Sequence, residues 1–337
     1  MMKTISDEEF YAGLKDLPQI KYPFPDLIHP QFQEAREIYY DWIDEEYGFH
    51  SLEAREKHKK HNFVDIATRG MPFLKSLAEY HPVSVYTANG SMMDDYFDKC
   101  TLEEMYTISD RIDDILTGRE SEEPKEKGIY HFYWRLRQYA IECDFPEHLY
   151  KRFVSAIHRV FNAYAEEKAY YRTNTIPPLH IYTLIRMDNS GVPPFSIYVA
   201  LQKDYRTIPD EIFDHPHIIR MQNLCAFMVG IHNDFISLPK ELHREGDTMN
   251  LIKVMQNEYN LPLHDAYMKA LELHDQYLDE FLVLQKNLPF FGDFQNLVAD
   301  YVADLGIMVA GIYRWHTADT SRYVNGGYVE GEYVSQQ

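Results

Sequence analysis

The chain has 337 residues, of which 45% are hydrophobic, and 53 acidic against 33 basic side chains give it a net charge of −20. That charge argues against nucleic acid and an anionic membrane surface as partners, since both attract a basic face. Three scattered cysteines exclude a disulfide framework or a cysteine-bound zinc site, and no signal peptide or run of 18 apolar residues is visible. We therefore expect a cytoplasmic protein without a transmembrane helix.

Helical spacing of apolar residues runs through most of the chain, with few alternating strand patterns. In chain order, helices are predicted over residues 30–48, 146–171, a segment that ends near Gly246, 248–260, 262–287 and a buried stretch at 305–313. The polar residues 117–128 are predicted to form an exposed loop. No linker divides the chain, so we expect one all-α domain over residues 1–337, with an N-terminal segment at 1–22 and a mobile tail at 324–337.

Residues 233–241, with the sequence NDFISLPKE, carry three oxygen-bearing side chains at intervals of four residues. On an α-helix this spacing places Asn233, Ser237 and Glu241, which we call the Asn–Ser–Glu triad, along one narrow stripe. A solvated helix face would show the same stripe, and taken alone the pattern favours that interpretation. Motifs elsewhere in the chain are needed to decide whether this stripe is a solvated helix face or part of a functional site.

A second candidate is the sequence DDYFD, in which Asp94, Asp95 and Asp98 follow an uncharged segment. Three carboxylates within about one turn repel each other, and a helix tolerates them where water screens the repulsion or cations neutralise the charge. Mg²⁺ prefers carboxylate oxygens and commonly bridges to phosphates, so the cluster is a candidate metal site. The equally acidic residues 110–115 lie among other charges and are predicted to be plain surface.

These motifs, taken in order, resemble those of class I terpene synthases of the bacterial and fungal type. The similarity extends from Pro23 to Tyr323 through PFPDLIHP (23–30), DDYFD (94–98), YTLIRMDNSGVPP (182–194), NDFISLPKE (233–241) and the terminal Arg322–Tyr323 pair. Each motif alone is weak to moderate, but their order is specific. The resemblance implies an all-α, single-domain helical bundle that encloses a central apolar active-site cavity, with metal ions at its mouth.

The resemblance also implies a site for three Mg²⁺ ions, with Mn²⁺ as a substitute. The Asn–Ser–Glu triad would chelate one ion, and Asp94 would bind the other two from the facing helix. Asp98 is a further candidate ligand. Asp95 would support the site through an ion pair with Arg322.

Other residues of the motifs would bind or sense the diphosphate group of a substrate. Lys240, Arg322 and Tyr323 would donate hydrogen bonds to phosphate oxygens. Arg186 resembles the family's diphosphate-sensing arginine, and Asn189 and Ser190 would be its linker and effector. The family linker is often Asp or Thr, so Asn189 departs from the pattern. The nearby Gly191 and the prolines at 193–194 support a helix break on physical grounds.

The implied activity is ionisation of a linear prenyl diphosphate, either farnesyl or geranylgeranyl diphosphate, followed by cyclisation of the carbocation and quenching by proton loss or water. An Asp-x-Asp-Asp motif is absent, which argues against ionisation by protonation, and so is a second aspartate-rich motif, which argues against chain elongation. Trp315 is a candidate for stabilising the cation with its ring face. A prenyltransferase or a catalytically inactive isoprenoid-binding protein of the same fold stays open, as does a homodimer.

Substrate length has only a weak signal. Thr87, Gly90 and Ser91 precede Asp94 on its helix face and are small, which leaves cavity volume and favours a C20 over a C15 substrate. The alternative is that another helix, such as the one with Phe73, supplies the bulk.

Overall fold

The computed structural model describes residues 13–46, 51–97, 99–125, 128–242 and 248–324, in which every regular element is helical. The α-helices are α1 Phe32–Glu46, α2 Leu52–Lys59, α3 Val64–Gly70, α4 His81–Phe97, α5 Leu102–Thr117, α6 Ile129–Glu142, α7 Glu147–Thr173, α8 Leu179–Asn189, α9 Pro193–Val199, α10 Asp210–Phe213, α11 Pro216–Glu241, α12 Leu251–Tyr259, α13 Leu263–Lys286 and α14 Gln295–Arg314. The predicted all-α class is confirmed.

Prolines mark helix starts where the sequence indicated them. Helix α7 begins immediately after Pro146, and α13 begins after Pro262, because proline has no N–H to lose in the first turn. The stretch 118–125 after α5 is mostly exposed, as predicted for this loop. The predicted helix ends at Gly48 and Gly246 lie outside the described residues.

The predicted helix break separates α8 from α9. Helix α8 ends at Asn189, Gly191 has a φ of +71°, and Pro193 opens α9 in its first turn. A positive φ suits glycine, and proline cannot continue a preceding helix, so these two residues together reset the chain direction. The break places Asn189 and Ser190 at the end of a helix instead of inside one.

Helix α11 is the central element of the bundle. Apolar side chains cover most of its circumference, as expected for a helix surrounded by others. Two hydrophobic clusters meet on it, a large one formed with α3, α4, α7, α9 and α14, and a smaller one formed with α8, α12 and α13. The triad residues lie near its C-terminal end, so the polar stripe is carried by a helix that packing holds rigidly.

Helix α14 crosses α3 and the chain at Phe24 at close range. A Cβ atom on Gly311 would lie 2.6 Å from the carbonyl carbon of Arg69, and one on Gly306 would lie 2.6 Å from the Phe24 ring. Both distances are shorter than real Cβ contacts, so only glycine permits these crossings. The residues after α14 continue along α3 and form hydrogen bonds with His61 and Asn62.

Among the described residues, one helical stretch, Gly292–Asp319, has the length and hydropathy to span a membrane. It lies within the bundle, and 67% of its most apolar window is buried against the rest of the protein. The predicted buried stretch at 305–313 is the middle of this helix, and its side chains belong to the core.

Candidate active site

The Asn–Ser–Glu triad faces a cavity of about 240 Å³. Lys240, on the same helix, and Arg186, Asn189 and Ser190 from the helix break line this cavity too. Further predicted residues in its wall are Thr87, Gly90, Trp315, Arg322 and Tyr323. The structure thus brings together residues from three separate motifs, at 182–194, 233–241 and 322–323, which a solvated helix face would not do.

The wall of this cavity combines polar with aromatic side chains, including Phe63, Tyr86 and Phe195. Phe73 is not part of the wall, and a Cβ atom on Gly90 would meet nothing within 4 Å. The predicted central apolar cavity, like the roles of the individual residues, stays a prediction.

Arg186 is the centre of the hydrogen-bond network in the cavity wall. Its Nη2 donates to the Gly230 carbonyl at 2.9 Å, to Asn233 Oδ1 at 2.9 Å and to Asp234 Oδ1 at 2.5 Å. Burial alone would lower the pKa of this guanidinium, but Asp234, Tyr182, Glu241 and Glu167 together outweigh burial and raise it. The arginine is therefore charged, and in this conformation it donates a hydrogen bond to the side-chain oxygen of Asn233.

Asp234 is a buried partner of Arg186 that the sequence analysis did not single out. Its carboxylate is fully enclosed and accepts hydrogen bonds from Tyr182 Oη at 2.5 Å and the Leu251 N–H at 2.7 Å, in addition to Arg186. Burial raises the pKa of Asp234 to about 7, although Arg186 favours the charged form. The sequence did offer one indication of this role. Asp234 follows Asn233 directly, and adjacent residues of a helix point in different directions, so Asp234 faces α8 and not the triad's stripe.

Space for Arg186 depends on a glycine of α11. A Cβ atom on Gly230 would lie 3.1 Å from Arg186 Cγ and 3.4 Å from Ser190 Cβ. Any larger residue would therefore push the arginine and the helix break away from α11. Gly230 lies outside the motifs recognised in the sequence, so the sequence alone did not indicate its importance.

Asn189 and Ser190 occupy the turn that follows Arg186. Asn189 accepts a hydrogen bond from Arg186 Nη1 at 3.3 Å and donates one through Nδ2 to Glu167 Oε2 of α7 at 2.7 Å. The Ser190 hydroxyl donates to the Met187 carbonyl at 3.0 Å and accepts from the Val192 N–H at 3.3 Å. Asn189 thus connects the arginine to α7, and Ser190 stabilises the turn.

The C-terminal residues reach the cavity through a π-helical turn, Trp315–Asp319, that continues α14. Trp315 Nε1 donates to the His61 carbonyl at 2.8 Å, which fixes the indole against the N-terminal half of the chain. Asn233 Nδ2 lies 3.2 Å from His316 Nε2 and donates to Tyr323 Oη at 2.9 Å. Single-turn π segments often occur at functional sites, and here the turn brings His316 to the triad.

The acidic motif lies at the end of α4, the helix that also supplies Thr87 and Gly90 to the cavity wall. The side chains of Ser91, Asp94 and Asp95 and the whole of Asp98 lie outside the described part of the chain. The predicted metal ligands of this motif, and the ion pair between Asp95 and Arg322, therefore stay predictions.

The donor set on α11 fits a hard divalent cation. Asn233, Ser237 and Glu241 offer amide, hydroxyl and carboxylate oxygens on one cavity-lining stripe, and Mg²⁺ binds through oxygen. Within the described ranges, no group of three or more His, Cys, Asp and Glu side chains forms an alternative metal site.

Known proteins resemble this chain in both sequence and fold. A family model described as terpene synthase family 2, C-terminal metal binding, matches residues 86–280, more than half of the chain. The chain belongs to this family, as its motifs indicated, and the description of the model indicates binding of a divalent metal.

Among curated relatives, a Delta(6)-protoilludene synthase of Hypholoma sublateritium is 29% identical over 52% of this chain and 52% of its own length. The (+)-eremophilene synthase of Sorangium cellulosum is 24% identical over 92% of this chain and 93% of its own. The chain therefore spans about half the length of the Hypholoma enzyme and nearly the full length of the Sorangium enzyme.

Two solved structures share the fold at low identity. An α-eudesmol synthase superimposes with a TM-score of 0.76 at 20% identity, over 89% of this chain and 99% of its own. A hedycaryol synthase in complex with nerolidol gives a TM-score of 0.70 at 17% identity, over 89% and 99% of the two chains. Both support the helical bundle described above.

Proposed function

We propose that this protein is a Mg²⁺-dependent terpene synthase that ionises a linear prenyl diphosphate and cyclises the resulting carbocation. The observation that supports this most directly is the convergence of the Asn–Ser–Glu triad, Arg186 and the Arg322–Tyr323 pair on one cavity. Oxygen donors for a cation and nitrogen donors for an anion are the two halves of a site for a metal-bound diphosphate.

The protein's own residues would hold the diphosphate and exclude water. Arg186, Lys240, Arg322 and Tyr323 would donate hydrogen bonds to phosphate oxygens, while the triad, Asp94 and Asp98 would supply oxygen ligands. Three bound Mg²⁺ ions would neutralise the diphosphate and make it a better leaving group. The C–O bond would break with both electrons going to the diphosphate, which leaves an allylic cation in the cavity.

The ring would then form when a distal double bond of the same prenyl substrate attacks this cation. Aromatic side chains in the wall, with Trp315 and Phe63 among them, could stabilise the positive charge through their ring faces. The product would leave after loss of a proton or capture of water.

Farnesyl diphosphate is the substrate that we favour, with geranylgeranyl diphosphate as the alternative. Two further relatives from Postia placenta are named sesquiterpene synthases, at 31% identity over 51% of the chain. In the cavity wall, Phe63, Tyr86 and Phe195 supply bulk that Thr87 and Gly90 lack. This offsets the argument from small residues on α4 for a longer substrate.

The test is incubation with C10, C15 and C20 diphosphates and Mg²⁺, with products identified by gas chromatography and mass spectrometry and diphosphate release measured in parallel. We expect a cyclic product from the C15 substrate that disappears when the metal is chelated. Asn233→Leu should lower turnover roughly 100-fold or more, because several kcal/mol of charge stabilisation are lost. Asn223→Leu, on the same helix but outside this cavity wall, is the matched control and should remain active.

Other outcomes would favour the two alternatives. Turnover that requires a second acceptor substrate would indicate a prenyltransferase. Binding of the diphosphates without release of diphosphate from any of them would indicate an inactive isoprenoid-binding protein. Equal turnover by Asn233→Leu and the wild-type protein would overturn the role given to the triad.

A further inference from the structure

A continuous chain of hydrogen-bonding side chains runs through the interior from Asn233 to the surface. His316 Nε2 lies 3.2 Å from Asn233 Nδ2, and His316 Nδ1 lies 3.2 Å from His232 Nε2. The Tyr22 hydroxyl follows, 3.0 Å from His232 Nδ1 and 2.8 Å from His274 Nε2. We call Tyr22, His232, His274 and His316 the histidine relay.

Both ends of the relay set the same direction for its hydrogen bonds. At the inner end, His316 Nδ1 lies 3.0 Å from the Ile312 carbonyl, which can only accept, so this nitrogen carries the proton. At the outer end, His274 Nδ1 lies 3.1 Å from the carboxylate of Asp275, a side chain that is 60% exposed. A carboxylate also accepts, so His274 is protonated at the same ring nitrogen.

These two assignments determine the remaining hydrogen bonds. His316 Nε2 and His274 Nε2 are acceptors, so Asn233 Nδ2 donates to the first and the Tyr22 hydroxyl donates to the second. His232 must then accept at Nε2 from His316 and donate through Nδ1 to Tyr22. Two protons are shared: the Tyr22 hydroxyl has a second, more distant acceptor in the Met228 carbonyl at 3.3 Å, and His316 Nδ1 faces both Ile312 and His232. With this sharing, a donor faces an acceptor at each step from Asn233 to Asp275.

The three histidines of the relay are enclosed by protein, and Tyr22 is partly buried. His232 and His274 have no exposed surface, and His316 is 8% exposed. In the described part of the chain, His232 and His316 have a hydroxyl, an amide, a carbonyl and each other as hydrogen-bond partners. None of these is a carboxylate that would compensate a buried charge, so both rings are neutral. Neutral histidines have one donor and one acceptor nitrogen, which gives each member of the chain a defined direction.

We propose that the histidine relay fixes the orientation of the Asn233 amide, so that its oxygen faces the cation site and its nitrogen faces His316. The proposal rests on the function proposed above, in which Asn233 is a metal ligand. An amide oxygen and nitrogen are nearly equal in size, so a side chain free to rotate would often present NH₂, which cannot bind a cation.

The relay becomes most important when Arg186 moves. In the present conformation Arg186 also orients the amide, because it donates to Asn233 Oδ1. If Arg186 turns towards a diphosphate, that constraint is lost. His316, whose acceptor nitrogen is set through Ile312, still distinguishes the two ends of the amide when Arg186 has moved.

The first test reads the proton positions directly. Long-range proton–nitrogen correlation spectra of the protein with ¹⁵N-labelled histidine distinguish the two neutral tautomers. We expect His232, His274 and His316 all to carry the proton on Nδ1. Protonation on Nε2 at any of these three histidines would overturn the proposal, whatever the protein turns out to catalyse.

The second test measures metal affinity without turnover. Binding of Mn²⁺ in the presence of inorganic diphosphate is followed by the loss of the free-ion signal in electron paramagnetic resonance. His316→Phe should weaken binding roughly 10–100-fold, as losses of residues that orient metal ligands do. His316→Gln places an amide that can accept with its oxygen near the Nε2 position and should recover part of the affinity, whereas Tyr22→Phe should cause a smaller loss than His316→Phe.

A matched control is available next to the relay. The Tyr313 ring packs against Tyr22, but its hydroxyl donates to the Ile20 carbonyl and not to a relay member. Tyr313→Phe should bind Mn²⁺ like the wild-type protein. Wild-type affinity in His316→Phe would contradict the proposal, while a wild-type protein that binds no Mn²⁺ with diphosphate would contradict the proposed function and leave the tautomer test to decide on the relay.

Discussion

At the level of single residues, Asp234 and Arg186 form the most deeply buried ion pair of the site. Their side chains are 1% and 10% exposed, and the carboxylate has two further donors in Tyr182 and the Leu251 N–H. A buried pair of this kind contributes little net free energy, but removing one partner leaves a charge without compensation. Asp234 is therefore expected to matter for stability as well as for the position of Arg186.

Asp234→Leu should lower the free energy of unfolding by about 3–5 kcal/mol, because it leaves the Arg186 charge buried and without its carboxylate. The measurement is urea denaturation at pH 8, where Asp234 is ionised. Glu280→Leu is the control, since Glu280 and Arg220 are 38% and 39% exposed and such surface pairs are worth at most about 1 kcal/mol. Equal losses in the two variants would show that Asp234 does not hold a buried charge.

At the level of elements, the break between α8 and α9 is the part of the site best placed to move. Arg186 lies one turn before the break, and its present partners are all on α11 and within its own helix. A diphosphate would offer the guanidinium stronger acceptors, and each charge-assisted hydrogen bond is worth about 1.5–3 kcal/mol. The ligand could therefore draw the end of α8 towards the cavity and help to close it.

Addition of diphosphate and Mg²⁺ should protect residues 186–194 and 317–324 from amide hydrogen exchange, measured by mass spectrometry. In Arg186→Ala this protection should weaken, because the side chain that links ligand and helix break is gone. Arg159→Ala is the matched control, since Arg159 pairs with Asp188 on the outer face of α8 and is 46% exposed. Unchanged exchange of both segments in the wild-type protein would show that closure does not occur.

Features that depend on neighbours in the chain could be predicted from the sequence. Proline at helix starts, the Gly191 break and the four-residue spacing of the triad are local patterns, and the structure has the helices and the break where these patterns placed them. Asp234 was overlooked because its partners Tyr182 and Arg186 are 52 and 48 residues away. No spacing rule indicates such pairs, since only the packing of α8 on α11 creates them.

At the level of the whole molecule, several histidines are buried without charge. His58, His232, His274 and His316 are at most 8% exposed, and burial lowers the pKa of each of them. The unfolded chain takes up protons on these residues below about pH 6.5, whereas the folded protein does not. Their contribution to stability is thus present above that pH and is lost as the pH falls.

The free energy of unfolding should therefore fall from pH 6.5 to 5, by about 1.4 kcal/mol per pH unit for each of these histidines. His58→Gln should reduce the slope by about that amount in urea denaturation at a series of pH values. The same slope in His58→Gln and the wild-type protein would mean that His58 is protonated in the folded state.

The contacts between the N-terminal segment and α14 also affect how the protein is made. Tyr313 donates to the carbonyl of Ile20, 293 residues earlier, and the Phe24 ring rests on Gly306. At about 5–20 residues per second, a ribosome needs roughly 15–60 s to extend the chain from one partner to the other. During that time Tyr22 and Phe24 have no helix to cover them, so the nascent chain exposes this apolar surface until its last helices emerge.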